Sequence, residues 1–341
     1  MPKRSLIEQL NDAVQAMLAR PDAKRVGGQS ADPKLAPLLR VARDLRELPH
    51  QDFKARLKSD LERRATMASA TPVGGKLSNK EESKQTGYIP EGFHAITPYL
   101  IVAGAAQFIE FLKAAFGGIE RGRVPAPGGK IMHAEVAVGD SMIELADANE
   151  QYPPAPTAIH LYVPDADSTY QRAIQAGATL LREIADQPYG DREGSVKDKF
   201  GNHWYIATPR GWTPSQALRA VQPYLHLHGA EKMIPFLRDA FGAEVEGGVA
   251  KSPEGAVLHA TIRIGDTTLE LGEAHAEFQP MPCHLHLYVP DTDAMYQRAL
   301  QAGAASISGP ENKPYGERGA GVRDPFGNSW FIATYGTGAK T

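Results

Sequence analysis

From residue 97 onward, apolar and polar positions alternate in short runs, each group of runs interrupted by one amphipathic helical stretch. Alternation predicts strands at 97–103, 119–124, 131–138 and 141–146, with a helix over 105–116 closed by Gly117-Gly118. Gly139-Asp140 has the composition of a tight turn between the last two strands. The order then repeats: a strand at 158–163, a helix over 165–175 closed by Gly177, and strands at 178–182, 194–197 and 203–207. Antiparallel strands with helices on one face predict an α+β fold. The whole block recurs at an offset of 125, then 126. Pro98-Tyr99-Leu100 returns as Pro223-Tyr224-Leu225, His133-Ala134 as His259-Ala260, and 160–165 unchanged as 286–291. Phe200-Gly201-Asn202 with Trp204 returns as Phe326-Gly327-Asn328 with Trp330. A period of that length is one domain, not a solenoid repeat. Two modules are therefore expected, at 89–210 and 217–336, each a pair of βαβββ units forming a cupped mixed sheet.

The N-terminal pattern is different. Ser5-Leu6-Ile7-Glu8 has capping-box form, and Leu6, Leu10, Val14, Met17 and Leu18 share a helical face. Asp32-Pro33 starts a second helix with Leu35, Leu38, Leu39, Ala42 and Leu45, ended by Pro49; Phe53, Leu57 and Leu61 mark a third. Residues 1–65 are read as a helical region. Residues 66–88, rich in Ser, Thr, Gly, Lys and Glu, are read as a flexible linker.

Composition narrows the function classes. The net charge of −3 divides unevenly: residues 1–85 hold 17 Lys/Arg against 11 Asp/Glu, the remainder 20 against 29. The repeats are thus a poor nucleic-acid surface. The basic head suits self-association or a protein partner, or is simply a solvated helical surface. The chain has no apolar run long enough to span a bilayer. One cysteine, Cys283, excludes an internal disulfide and suits a reducing cytoplasm, the expected location. Its neighbour His284 points to the opposite strand face, against a Cys–His nucleophile pair.

Candidate chemistry sits on the strands. Glu144 and Glu270 lie inside apolar runs, where a carboxylate facing inward needs a metal, a ligand hydroxyl or a neighbouring Tyr or His. Histidine separates the copies: His226, His228 and His284 stand where the first copy has Ile101, Ala103 and Ala158. Gln222, Tyr224, His226 and His228 share one strand face, which predicts a polar, titratable pocket in the second copy and an apolar one in the first. His133 and His259 read as hydrogen-bonded structural histidines, and Trp204 and Trp330 as core. The loops 188–192 and 314–318 either close over a ligand or form ion-paired turns.

The element order and the phrases Pro-Tyr-Leu, 133–135 through Gly139-Asp140 to Glu144-Leu145, 189–192, 198–204 and 324–330 resemble the vicinal-oxygen-chelate superfamily. That superfamily includes glyoxalase I, bleomycin-resistance proteins and extradiol dioxygenases, and the likeness is greatest to its PhnB-like branch. The resemblance covers residues 95–336 and implies a divalent metal in some members, Ni, Zn, Mn or Fe, with one ligand on each of the first, fourth, fifth and eighth strands. Those positions fall on Thr97, Glu144, Ala158 and Tyr205 in the first copy, and on Gln222, Glu270, His284 and Phe331 in the second. His160 and His286, one pleat along, are the alternative fifth-strand positions. The metal candidates are therefore Gln222, Glu270 and His284, with Glu270 as the proton-moving residue. The resemblance also allows the half-modules to exchange partners. The cups would then combine Thr97, Glu144, His284 and Phe331, and Gln222, Glu270, Ala158 and Tyr205, and neither set has three ligands.

Two readings of function follow. In one, the cups bind a small molecule with Tyr99, Glu144, His160, Tyr162, Tyr224, His226, His286 and Tyr288 as lining, either with no cofactor or with metal-assisted chemistry in the second module. In the other, the chain is a divalent-metal-dependent glyoxalase-like lyase or isomerase, or a dioxygenase.

Overall fold

The computed structural model describes residues 87–209, 219–275 and 278–336. The expected helical region 1–65 and all but the end of the linker lie outside the described residues. The first copy contains β1 (Ile96–Val102), α1 (Ala105–Phe116), β2 (Ile119–Pro125), β3 (Ile131–Val138), β4 (Ser141–Asp147), β5 (Ala158–Tyr162), α2 (Ala166–Gln175), β6 (Thr179–Asp186), β7 (Asp191–Lys197) and β8 (His203–Pro209). The second contains β9 (Val221–Leu227), α3 (Ala230–Phe241), β10 (Glu244–Lys251), β11 (Val257–Ile264), β12 (Thr267–Glu273), β13 (His284–Tyr288), α4 (Thr292–Gln301), β14 (Ala305–Asn312), β15 (Glu317–Arg323) and β16 (Ser329–Tyr335). The architecture is α+β, with the helices outside two eight-stranded mixed sheets.

The sheets do not follow the copies. One runs β14-β15-β16-β13-β1-β4-β3-β2 and the other β10-β11-β12-β9-β5-β8-β7-β6. The first half of each copy thus joins the second half of the other. β1 pairs antiparallel with β13, Thr97 opposite His286, and β9 pairs antiparallel with β5, Gln222 opposite His160. We call the cup on the first sheet cup A and that on the second cup B.

Strand alternation assigns the two faces. On β1, Leu100 and Val102 pack in a core that also holds Phe108, Leu112, Leu161, Trp204 and Ile206, all from the first copy. Leu225, Leu237, Leu285, Trp330 and Ile332 form the equivalent core of the second. The cores are therefore built almost wholly within each copy, with Val221 joining the first and Ile96 the second, while the opposite strand faces meet across copies to line the cups. Trp204 is wholly buried and donates through Nε1 to Asp198 (2.9 Å), as Trp330 does to Asp324 (2.9 Å), so both belong to the cores.

The seam between copies is locked by two equivalent turns. Asp140 accepts from the Ala220 N–H (2.8 Å), and Asp266 from the Ala95 N–H (2.8 Å). Gly139 and Gly265 both have φ of 62°, and a Cβ there would lie 2.6 Å from Ala220 and 2.7 Å from Ala95. Close approach and a left-handed backbone together require glycine at both. Thr157 and Cys283, equivalent residues, touch each other at the centre of this seam. Burial pushes the Cys283 thiol up to about 12, so it packs and does not react.

Candidate functional site

Exchange redistributes the predicted residues. Cup A brings together Tyr99, Glu144, His286 and Tyr288, with His284 at its edge. Cup B brings together Gln222, Tyr224, His226, Glu270, His160 and Tyr162. His284, on β13, is therefore not brought to Gln222 and Glu270, which lie on β9 and β12 of the other sheet. The expected contrast of one polar and one apolar pocket also gives way. Each cup takes half its lining from each copy, and each has a buried Glu–His pair as its floor. His228 follows β9, is exposed, and lies 3.7 Å from Glu273.

In cup B, His160 Nδ1 is 2.7 Å from Glu270 Oε2. Tyr162 donates to Glu270 Oε1 (3.0 Å), and His259 Nε2 lies 3.2 Å from Oε2. Burial alone would raise the Glu270 pKa, but the adjacent His160 and His259 outweigh it and hold the carboxyl below the usual range. Burial likewise opposes an imidazolium at His160, yet Glu270 and Glu193 lift its pKa to about 10. The ring's other nitrogen, Nε2, is buried without a hydrogen-bond partner and faces Glu193 Oε2 at 3.4 Å. Asp191 lies beside them, and one ligand atom from each of His160, Asp191 and Glu193 falls within 4.8 Å of the others. Glu193 also takes Arg182 on Oε1 and the Tyr189 hydroxyl on Oε2 (3.0 Å).

The register explains how β5 and β7 meet across β8. Ala207 of β8 lies opposite both Tyr162 and Glu193, so only a methyl group separates the longer side chains on either side. Register shifts in the β6–β7 pairing set Arg182 against Ser195, beside Glu193. Sequence reasoning ended β6 at 182 and began β7 at 194, which left Asp191 and Glu193 in a loop. The strands continue to a tight turn at 187–190, where Gly190 has φ of 106°. The i, i+2 spacing of the two carboxylates was the available signal. His259, read as a hydrogen-bonded structural histidine, has Glu270 as its partner. Arg192 pairs with Asp167 and Asp186, and Arg318 with Asp293, so these loops contain ion pairs.

The wall of cup B is aromatic. Tyr224 stacks on His226 (centroids 4.4 Å apart), His226 on Phe278 (5.5 Å), and Tyr205 leans on Tyr224 (5.4 Å). The Tyr205 hydroxyl contacts His226 Nε2 at 3.0 Å. Burial, with His203 and His275 nearby, lowers the His226 pKa to about 4.

Cup A repeats the floor with different neighbours. His286 Nδ1 meets both Glu144 oxygens (3.1 and 2.9 Å), and Tyr288 donates to Glu317 (3.1 Å). His286 Nε2 is 3.8 Å from Glu317, the counterpart of Asp191, but Gly319 stands where cup B has Glu193. Burial opposes charge on His286, and Glu144 outweighs it to raise the pKa. The Tyr99 hydroxyl lies 3.2 Å from His133 Nδ1. His284 is stacked at 6.2 Å on Phe331, with its Nδ1 buried and unpartnered.

The metal positions implied by the resemblance do not fit a metal in either cup. Cup A offers Thr97, Glu144, His284 and Phe331. Cup B offers Gln222 and Glu270 but Ala158 and Tyr205. The Gln222 amide is held between Thr268 and the Arg219 backbone, and Glu270 already has three partners.

Residues 92–206 and 228–332 match the family described as Glyoxalase/Bleomycin resistance protein/Dioxygenase superfamily, and the chain belongs to it as two tandem modules. An uncharacterized protein of Mycobacterium bovis is 40% identical over 126 residues, covering 34% of this chain and 83% of its own. An uncharacterized protein of Mycobacterium tuberculosis is 40% identical over 126 residues, covering 34% and 74%. Glyoxalase I from Zea mays superposes with a TM-score of 0.56 at 16% identity, over 70% of this chain and 91% of that one, a likeness of fold. Members of this superfamily often use divalent metals. Among the described residues, no helix is long and apolar enough to cross a membrane.

Proposed function

We propose that the chain binds a small planar molecule, that cup B is its working site, and that the ligand presents hydroxyl or amino hydrogens to the floor. One observation carries this reading: two buried carboxylates, Glu270 and Glu193, bracket His160 beneath a wall of Tyr224, His226, Tyr205 and Phe278. The half-buried Asp191 beside them offers the accessible carboxylate, and an ionised carboxylate only accepts hydrogen bonds, which selects donors. Stacked rings favour a flat apolar body. In this reading the chain is a PhnB-like member that works in the cytoplasm; the phrases at 133–145, 189–192 and 198–204 support the branch, and the single cysteine supports the location.

The competing reading is a metal-dependent glyoxalase-like lyase, isomerase or dioxygenase with Glu270 moving the proton. It needs a free Glu270 oxygen, and His160, Tyr162 and His259 occupy that carboxylate. Ligand-observed NMR on chelator-treated protein tests the binding reading, with phenol and aniline as probes beside anisole and N,N-dimethylaniline. Phenol and aniline are expected to bind about tenfold more tightly than the methylated probes, a difference of one hydrogen bond. Tyr224→Ala is expected to weaken all four probes, because it removes the stacking that they share. Equal binding of all four probes, or no change in Tyr224→Ala, refutes the assignment.

A further inference from the structure

The superfamily's ligand positions do not converge, but a different set does, one strand farther toward the sheet edge. We infer that His160 Nε2, Asp191 and Glu193 form a divalent transition-metal site on β5 and β7 of cup B. The inference rests on the reading of cup B as the working cup.

Four observations support it. The three donors are an imidazole nitrogen and two carboxylates, the set that suits Zn²⁺, Mn²⁺, Fe²⁺ or Co²⁺. In a tetrahedral site with bonds of about 2.1 Å, neighbouring ligand atoms lie roughly 3.4 Å apart. His160 Nε2 and Glu193 Oε2 are 3.4 Å apart, and a ligand atom of Asp191 lies within 4.8 Å of both residues' ligand atoms.

The second observation is the state of the ring. His160 is 5% exposed, and its Nε2 has no hydrogen-bond partner while aimed at the two carboxylates. A cation bound there would displace the Nε2 proton that now faces Glu193 at 3.4 Å and would bond directly to both groups. The third is the other nitrogen, whose 2.7 Å contact with Glu270 orients the ring. A carboxylate on the distal nitrogen is the usual support for a metal-bound histidine, since it fixes the tautomer and raises ligand basicity. Glu270 is thus a positioning residue for the site, not a ligand.

The fourth is access and charge. Asp191 is only half-buried, which gives an ion an approach from solvent. Three carboxylates, Glu270, Glu193 and Asp191, face His160 and Arg182, so the floor carries a surplus of negative charge even with the imidazole protonated. Arg182 and the Tyr189 hydroxyl hold Glu193 in place and leave its Oε2 facing the ring. Cup A has His286 and Glu317 but Gly319 in the third position, and so lacks the set.

The test is titration of the full chain with CoCl₂, read by visible d–d absorption, with ZnCl₂ competition by calorimetry. One equivalent per chain is expected for the unmodified protein. Asp191→Asn and Glu193→Gln should each weaken binding at least tenfold, whereas Glu317→Gln in cup A should not change it. Asp191 is partly exposed at a strand start, so Asp191→Asn keeps the test valid if Glu193→Gln misfolds; circular dichroism distinguishes the cases. No uptake by the unmodified chain, or uptake unchanged in Asp191→Asn, overturns the site. The phenol and aniline measurements use chelated protein, so failure of the metal site and failure of ligand binding are separate results.

Discussion

Cups A and B are built on one plan, each from two of the four half-modules, and they differ in what surrounds the floor. In both, a glutamate from the fourth strand of one copy meets a histidine from the fifth strand of the other. In cup B that histidine faces two further carboxylates and the glutamate takes three partners. In cup A the histidine faces one carboxylate at longer range, and Gly319 leaves the rest open. The difference teaches that the copies of the sequence are not the units of function. The cores close within a copy, the cups between copies, and a histidine-rich second copy is shared out: His226 to cup B, His284 and His286 to cup A.

The largest expected effect comes from removing the two floor glutamates. Glu270→Leu takes the partner from His160 Nδ1 and deprives Tyr162 and His259 of an acceptor. Breaking a buried pair from one side costs about 3–5 kcal/mol. Glu144→Leu in cup A should cost less, because its hydrogen bonds come from His286 alone among the described contacts, with His133 at 4.0 Å. Urea unfolding of the two variants checks the order; a larger loss in Glu144→Leu would contradict the ranking.

Acid separates the cups next. The folded-state pKa of His226 is depressed from 6.5 to about 4, so between those values the unfolded chain binds more protons. Stability should fall as pH drops through that window, by on the order of 3 kcal/mol in all. His286 acts with the opposite sign. Its pKa is raised, so its contribution is complete below 6.5 and is lost as pH rises through the folded value. The first copy has Ile101 where the second has His226. His226→Ile should therefore flatten the acid limb, measured as urea midpoints from pH 7 to 4. An unchanged limb would assign acid sensitivity elsewhere.

How much of this was legible without coordinates follows the same division. Alternation and glycine turns placed the strands, because one face of each is packed in a copy-local core and reads as apolar. Glu144 and Glu270 stand out because a carboxylate breaks that pattern, and His160 and His286 as the alternative fifth-strand positions that the resemblance implies. Partnership between halves was not legible: β1 offers the same edge to β5 or β13, whose sequences are nearly the same, so both arrangements satisfied the pattern. Asp191 and Glu193 were lost for a local reason. Pro188 and Gly190 look like the middle of a loop, whereas here they compress the turn and let β6 and β7 run to its edges.

A transplant sharpens the contrast. Gly319→Glu supplies the carboxylate that cup A lacks. A Cβ at Gly319 would meet only the flexible end of Lys313 at close range, Cε at 3.2 Å, and that ammonium can pair with the new group much as Arg182 pairs with Glu193. With Glu317→Asp to match Asp191, the double variant should take up a second equivalent of Co²⁺. Uptake that stays at one equivalent in a folded variant would show that His286 and two carboxylates are not sufficient.

The smallest effects come from two helix caps, one in each copy, of which Asp147 also accepts from the Ile131 N–H (2.7 Å). Asp147, at the end of β4, accepts from the Gly104 and Ala105 N–H groups at 2.9 Å and so caps α1. Glu273, at the end of β12, does the same for Gly229 and Ala230 at the start of α3. These free amides and the positive end of the helix dipole both favour a carboxylate. Asp147→Ala and Glu273→Ala should each cost about 1 kcal/mol, the usual cost of losing a helix cap. Neither should alter Co²⁺ uptake or phenol binding, because the capped helices pack in the cores and not in the cups. A loss of binding in Glu273→Ala alone would mean that asymmetry reaches beyond the cup floors into the frame that holds them.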